Sequence, residues 1–491
     1  MSRRSETETD GYRQTKADEQ DPPSPEATAG QGVQNVPDCE YVRWFDKRLP
    51  TGKDFDYCQV MGKIKIMKTL IVKGGTLTGG RITVSGNKNA VLPMIAALML
   101  TDGESILHNV PDILDVHTML DIAASLGAQY TLENGTLRFR CSDVKSHVIT
   151  QELCSRNRTS ILFAAPLLAR CGKAVLYPPG GDVIGRRRLD GHFYGLTKLG
   201  AEMDDDCRTY SFSVPGKLRG RELFLDEASV TATEQIMIAA ATARGTTTLY
   251  NAACEPHVSD LAGMLNAMGA KISGAGSNTL TIEGVGELSG CEYTVCEDHI
   301  EAGSFLALGA AAGVPVTIEG TLPRHYWMLR RVFERLGWQM TLRKDHIILP
   351  GDQDPQIESD FGGYIPQISD DTWPQYPSDM MSCTIVAATR SRGTVMFFEK
   401  MFESRIYFVD RLISMGANAI VCDPHRVVIT GRTQLHGVSM SSPDIRAGMA
   451  MVIAALCARG ESRIDRADVI YRGYEHLVDK LRALGAEVSE A

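Results

Sequence analysis

The stretch SLGAQY, residues 125–130, is the first of six near copies spread along this chain. The others are KLGAEM at 198–203, AMGAKI at 267–272, RLGWQM at 335–340, SMGANA at 414–419 and ALGAEV at 483–488. Each closes an amphipathic helical run and opens a short strand-like one. Their glycines, Gly127, Gly200, Gly269, Gly337, Gly416 and Gly485, are 73, 69, 68, 79 and 69 residues apart. A glycine at such a point reads as a helix stop in the left-handed region. A second glycine turn precedes each by 23 to 28 residues, at Gly103, Gly172, Gly245, Gly313, Gly393 and Gly460. These turns end helices that are nearly all small and apolar, such as IMIAAATA (236–243) and MVIAALCA (451–458), which must be buried on most faces. The repeated order is helix, strand, linker, amphipathic helix, then one or two short strands. A period near 70 residues is longer than the roughly 20 to 50 of common solenoids. Closed clusters of three units per domain fit six copies better than an open rod.

At 491 residues the chain is long enough for two to four domains. Its 43% hydrophobic and 23% charged residues are those of a soluble globular protein. A net charge of -9 excludes general nucleic-acid binding, so any anion must be held by local arginines. Twelve cysteines without a C-x-x-C pair read as reduced, mostly buried thiols, not as a zinc site or a disulfide framework. The longest apolar run, AVLPMIAALML, is far short of the roughly 18 residues that span a bilayer, and MSRRSETETD has no apolar signal core. The chain is therefore expected to be soluble and cytoplasmic. Residues 1–66 are polar and acidic, and are expected to be a disordered extension; the YVRWF patch at 41–45 is assigned no function.

Several stretches carry candidate chemistry but read two ways. PPGGDVIGRRRLDG, residues 178–191, puts Asp182 among glycines and follows it with Arg186, Arg187 and Arg188. It is either a solvated charge run or a deformable arm that grips an anion. Lys88, after the strand-like GRITV, is either surface or ligand contact. Arg158 begins an apolar helix, where it opposes the helix dipole, which hints at an anion nearby. Asp379, in YPSDMM, is either a helix N-cap or a reacting carboxylate.

Five segments taken together settle these alternatives: SGNKNAVLPMIAALML (85–100), PPGGDVIG (178–185), YPSDMM (376–381), FESRIYFVDRLISMGA (402–417) and RGYEHLVDKLRALGA (472–486). They resemble the UDP-N-acetylglucosamine enolpyruvyl transferases, a sister group of 5-enolpyruvylshikimate-3-phosphate synthase. The likeness runs from about residue 67 to the C-terminus. It implies an α/β fold of two domains, an inside-out α/β barrel with six βαβαββ repeats, three per domain. Domain I would be 88–296, with a mobile loop, and domain II 67–87 plus 297–491. The cleft between them would hold phosphoenolpyruvate and a uridine nucleotide or nucleotide sugar. The implied reaction is transfer of the enolpyruvyl group to the 3-hydroxyl of UDP-N-acetylglucosamine, in peptidoglycan precursor synthesis. It requires no cofactor, and no metal-ligand cluster is visible in the sequence.

The resemblance also assigns parts. Lys88 looks like the family lysine that contacts phosphoenolpyruvate, where a compact ammonium suits phosphate or developing carboxylate charge. Asn89 looks like the asparagine that touches the nucleotide sugar. Arg158 matches a family arginine that binds phosphoenolpyruvate, Arg187 the loop arginine that closes over both ligands, and Arg446 and Arg472 two more at the phosphate and carboxylate, where forked donors suit both groups. Asp379 matches the base that takes the acceptor's hydroxyl proton. Glu403 and Arg405 look like supporting cleft residues, and Ser229 joins the substrate-binding set. Asp182 stands where many family members carry a cysteine, the residue attacked by fosfomycin, and where some carry Asp. A carboxyl can serve as general acid toward the methylene of phosphoenolpyruvate, as a thiol can.

Departures cluster on the diphosphate side. Arg186 and Arg188 replace an alanine and a proline, Glu227 a lysine, Thr231 a glycine and His299 an arginine. An acid near a diphosphate is unfavourable, and Arg186 or Arg188 is expected to offset Glu227. The departures motivate an alternative acceptor, a nucleotide such as UMP in nucleoside-antibiotic synthesis. A third reading is a non-catalytic nucleotide-binding scaffold, against which Lys88, Asp182 and Asp379 together argue.

Overall fold

The computed structural model describes residues 68–491 apart from Val183 and Cys207, and of Asp205 only the backbone. The expectation for residues 1–66, including the YVRWF patch, lies outside the described residues. The described chain is α/β, with six small sheets among the described residues, five of four strands and one of three. Each pairs short strands with a buried helix, as the recurring glycines require. All six glycines of the repeated motif have positive φ, from +88° at Gly337 to +116° at Gly127. At Gly337 a side chain is doubly excluded, because a Cβ would stand 2.3 Å from the Gln356 nitrogen.

The buried apolar residues form two cores. One gathers residues between Ala90 and Val295; the other gathers Leu70–Val84 and residues from Ile300 to Val488. The small-residue helices lie at their centres. The helix His299–Ala312 is buried from His299 to Ala311, and packs against Ser378–Ala388, which packs in turn against Ile445–Cys457. Small residues permit that close approach. A Cβ on Gly303 would come within 2.9 Å of the Met380 sulfur.

The first two described strands belong to the second core. Leu70–Lys73 lies antiparallel between Glu461–Asp465 and Glu487–Glu490. Gly80–Thr83 runs parallel to Val316–Glu319. The chain then crosses into the first core near residue 86 and returns near 297. The two crossing segments are hydrogen-bonded to each other, Asn87 N to Cys296 O at 2.8 Å and Asp298 N to Ser85 O at 2.9 Å. Among the described residues, no helix is long and apolar enough to cross a membrane.

Candidate active site

A cleft of about 550 Å³ lies between the two cores and is lined by both. Lys88 enters it from the first turn of the helix Lys88–Leu98, just beyond the crossing. Asn87 caps that helix, its Oδ1 accepting from Asn89 N at 2.9 Å and Ala90 N at 3.2 Å. The Lys88 ammonium is 2.9 Å from Asp115 Oδ2, in the first turn of the helix Leu114–Ser125. Arg472, from the 3₁₀ turn Ala467–Arg472 of the second core, reaches the other Asp115 oxygen at 2.9 Å. Burial alone would raise the Asp115 carboxyl, but the charges of Lys88 and Arg472 outweigh it and hold the group below its ordinary value. Arg472 Nη1 also meets Asp182 Oδ1 at 2.5 Å.

The second carboxylate centre is Asp379. Arg405 stands 3.0 Å from Oδ1 and Arg446 3.0 Å from Oδ2. Asp379 is therefore not an N-cap: the cap of its helix is Pro377, with no side-chain cap bond. Burial would raise this carboxyl too, but Arg446, Arg405 and then Lys88 hold it far below the usual carboxylate range. Its side chain stays 29% exposed, against 4% for Arg405 and 6% for Arg446, so the carboxylate faces the cleft while its arginines are shut in. Arg405 Nε is buried without a hydrogen-bond partner, a donor left over at the cleft wall.

The glycine loop is pinned at three points. Arg158 Nη2 donates to the carbonyls of Arg187 and Arg188, both at 2.8 Å. Glu403 Oε1 accepts from the amide of Arg186 at 3.1 Å, and Ser404 N donates to Ile184 O at 3.3 Å. Gly185 has φ +132°, and a Cβ there would lie 2.6 Å from Glu403 Oε2. Arg187 turns into the cleft, where burial lowers its pKa against the charges of Asp379 and Asp182. Arg158 is pushed down to about 10 by burial and by the like charge of Arg187. The Arg188 guanidinium lies 2.5 Å from Asp190, two residues away, and the charge of Glu227 also acts on it from farther off.

The far wall carries Ser229, which caps the helix Val230–Ala240 through Oγ to Ala232 N, and the departures Glu227 and Thr231. Thr231 is not an idle replacement, since its hydroxyl is 3.0 Å from His192 Nε2. His299 is buried, 5.7 Å ring to ring from Trp373 and 6.2 Å from His257, and burial drives its pKa well down. It brings a neutral ring where the resemblance implies a cation. Glu234 and Glu255 line the same wall, and burial raises both carboxyls.

Lys88, Asn89, Arg158, Asp182, Arg187, Ser229, Asp379, Arg405, Arg446 and Arg472 thus all line one cleft. Glu403 does not line it and acts on the loop backbone instead. Asp115, Glu234, Glu255, His257 and Trp373 were not singled out from the sequence. Asp115 reads there only as the acidic first turn of a helix, and no local signal marks the others.

The chain is similar over most of its length to proteins of known activity. The family profile described as EPSP synthase (3-phosphoshikimate 1-carboxyvinyltransferase) matches residues 72–481. A UDP-N-acetylglucosamine 1-carboxyvinyltransferase of Treponema denticola is 51% identical over 86% of this chain and 99% of its own length. One from Bradyrhizobium diazoefficiens is 49% identical over 85% of this chain and 97% of its own. Among solved structures, the enolpyruvyl transferase NikO from Streptomyces tendae superposes with a TM-score of 0.77 at 21% identity, over 87% of this chain and 99% of its own. That last likeness is one of fold.

Proposed function

The chain belongs to the EPSP synthase family and, within it, to the UDP-N-acetylglucosamine 1-carboxyvinyltransferases, and from that premise we propose that it transfers the enolpyruvyl group of phosphoenolpyruvate to the 3-hydroxyl of UDP-N-acetylglucosamine, releasing phosphate. The observation that carries the reading is the pairing pattern of the cleft. Lys88 and Arg472 share Asp115, while Arg405 and Arg446 share Asp379. Such cations are already gathered for an anion bearing both phosphate and carboxylate, which can exchange for the protein's own carboxylates.

In this reading the acceptor oxygen bonds to C2 of phosphoenolpyruvate, its proton passes to Asp379, and C3 takes a proton from Asp182. The product is a tetrahedral ketal holding both sugar and phosphate. Loss of phosphate and of one C3 proton restores the double bond as an enol ether. Asp379 clamped by two arginines is a weak base. As substrate charge draws on Arg405 and Arg446, the hold on the carboxylate loosens and its basicity rises. Arg472, paired with Asp182 across the cleft, turns to substrate in the same way and leaves the loop acid beside C3. Asn89, Ser229, Arg158 and Arg187 orient the substrates, and Glu403 steadies the loop.

The finer architecture belongs to the same proposal. Five of the six sheets have the four strands of one βαβαββ unit, and in the sixth a bridge of Val148 to Val175 stands for the fourth; three units make each inside-out α/β barrel, and domain I (88–296) closes on domain II (67–87 and 297–491). The reaction is a cytoplasmic step of peptidoglycan precursor synthesis. UMP as acceptor has the motive of Glu227, Thr231 and His299, but relatives about half identical over nearly their whole length support the sugar nucleotide. Incubating the protein with phosphoenolpyruvate and, separately, UDP-N-acetylglucosamine, UMP or 3-phosphoshikimate, and following phosphate release, tests the reading. Release with UMP alone overturns the acceptor; release with none favours a binding scaffold.

A further inference from the structure

Three residues beyond Arg472, Glu475 makes a second bridge between the cores. Its Oε1 accepts from the amide of Asp112 at 2.7 Å, three residues before Asp115, the partner of Arg472. The two contacts run side by side, joining 472–475 of the second core to 112–115 of the first. The helix entered at Leu114 has Ile113 at its cap position, with no side-chain cap bond, so an anion beside its start is electrostatically welcome. The other oxygen of Glu475 accepts from Ser85 Oγ at 2.5 Å, on the segment where the chain crosses between cores. Ser85 Oγ also accepts from Lys480 Nζ at 2.7 Å, and Lys480 reaches Glu301 Oε1 at 2.6 Å. Glu301 Oε2 in turn accepts from Ser85 N at 2.7 Å. One carboxylate oxygen of Glu475 is therefore fixed to the crossing and the other to the opposite core.

We infer that Glu475 is a positioning residue for the transfer, a latch that holds the two cores together over the substrates. It touches no reacting atom. Its loss leaves the machinery intact but lowers the fraction of molecules with the cleft closed, and apparent affinity falls in proportion to that fraction.

The inference rests on the proposed function only for the choice of substrates. In the full-length protein, Glu475→Ala should raise KM for phosphoenolpyruvate and UDP-N-acetylglucosamine about tenfold or more, the scale of a lost hydrogen bond to a charged group, with kcat changed less than about threefold. Glu475→Gln keeps an acceptor for the Asp112 amide but not for Ser85 as well, and should fall between. Small-angle X-ray scattering without substrates should give a larger radius of gyration for Glu475→Ala than for the unaltered protein, reversed when both substrates saturate. A lower melting temperature with unchanged KM and radius would make Glu475 merely structural. A fall in kcat at constant KM would make it part of the chemistry. Either result overturns the latch, and if Glu475→Ala does not fold, Glu475→Gln carries the same measurements. Should the unaltered protein turn over neither substrate, the proposed function fails, and scattering alone decides the latch.

Discussion

Asp182 Oδ1 and Arg472 Nη1 stand 2.5 Å apart, joining the glycine loop of one core to a 3₁₀ turn of the other across 290 positions of sequence. The same guanidinium holds Asp115 at 2.9 Å. In the proposed reaction the loop carboxylate and the substrate anion would therefore compete for one cation.

The first test is at Asp182 itself. Asp182→Ala should lose most turnover, because Asp190, the loop's other acid, is paired with Arg188, and the three arginines stay protonated at working pH. Fosfomycin is opened by a soft thiolate and poorly by a carboxylate, so the unaltered protein should resist it. Asp182→Cys should be labelled at position 182, as read by intact-protein mass spectrometry in the presence of the sugar nucleotide. Labelling of the unaltered protein, or full activity of Asp182→Ala, would reduce the loop to an anion clamp.

Asp379→Asn should keep substrate binding and lower turnover by roughly 100 to 10,000-fold, the range for loss of a general base. The neutral amide also releases Arg405 and Arg446 from their ion pairs. Calorimetric binding of phosphoenolpyruvate should accordingly be as tight or tighter. Near-normal turnover would remove the base from this position.

Asp115 makes a prediction about acid. Its folded-state pKa lies below the ordinary value, so the stability it contributes is fully present above about pH 4 and is lost as pH falls through the lower, folded value. Asp115→Asn leaves Lys88 and Arg472 without their shared counter-charge, a loss of about 3 to 5 kcal/mol for a broken buried pair at neutral pH. Calorimetric melting should show a wide gap between the two proteins at pH 7 that narrows steadily toward pH 3. A gap independent of pH would mean that Asp115 acts by shape alone.

Removal of residues 1–66 should alter neither the melting temperature nor kcat/KM appreciably, because the family match begins at residue 72 and relatives are aligned over nearly their whole length to the remainder. A large fall in either quantity would show that the YVRWF segment docks on the core.

What could be read in advance follows from how local each constraint is. The six helix-stop glycines are legible because positive φ is a demand made by the turn itself, and all six have it. Asp379 and the arginines around it were found through motifs, since nothing in YPSDMM alone separates an N-cap from a clamped base. Asp115 was missed because its partners lie far off in sequence, Arg472 being 357 positions away. Arg188 has, besides Glu227, a nearer carboxylate in Asp190, two residues off, which no motif marks.

The antiparallel seat of Leu70–Lys73 between Glu461–Asp465 and Glu487–Glu490 has a consequence for biosynthesis. Every residue of the first core has been synthesised once residue 295 is made, so that half can fold while translation of the rest continues. The second half must hold its opening strand unpaired until the last thirty or so residues arrive to flank it. A ribosome that stalls or a message that ends before residue 461 leaves Leu70 and Val72, both fully buried in the finished protein, on a strand with two bare edges. Loss of Glu487–Glu490 alone would already bare one of those edges.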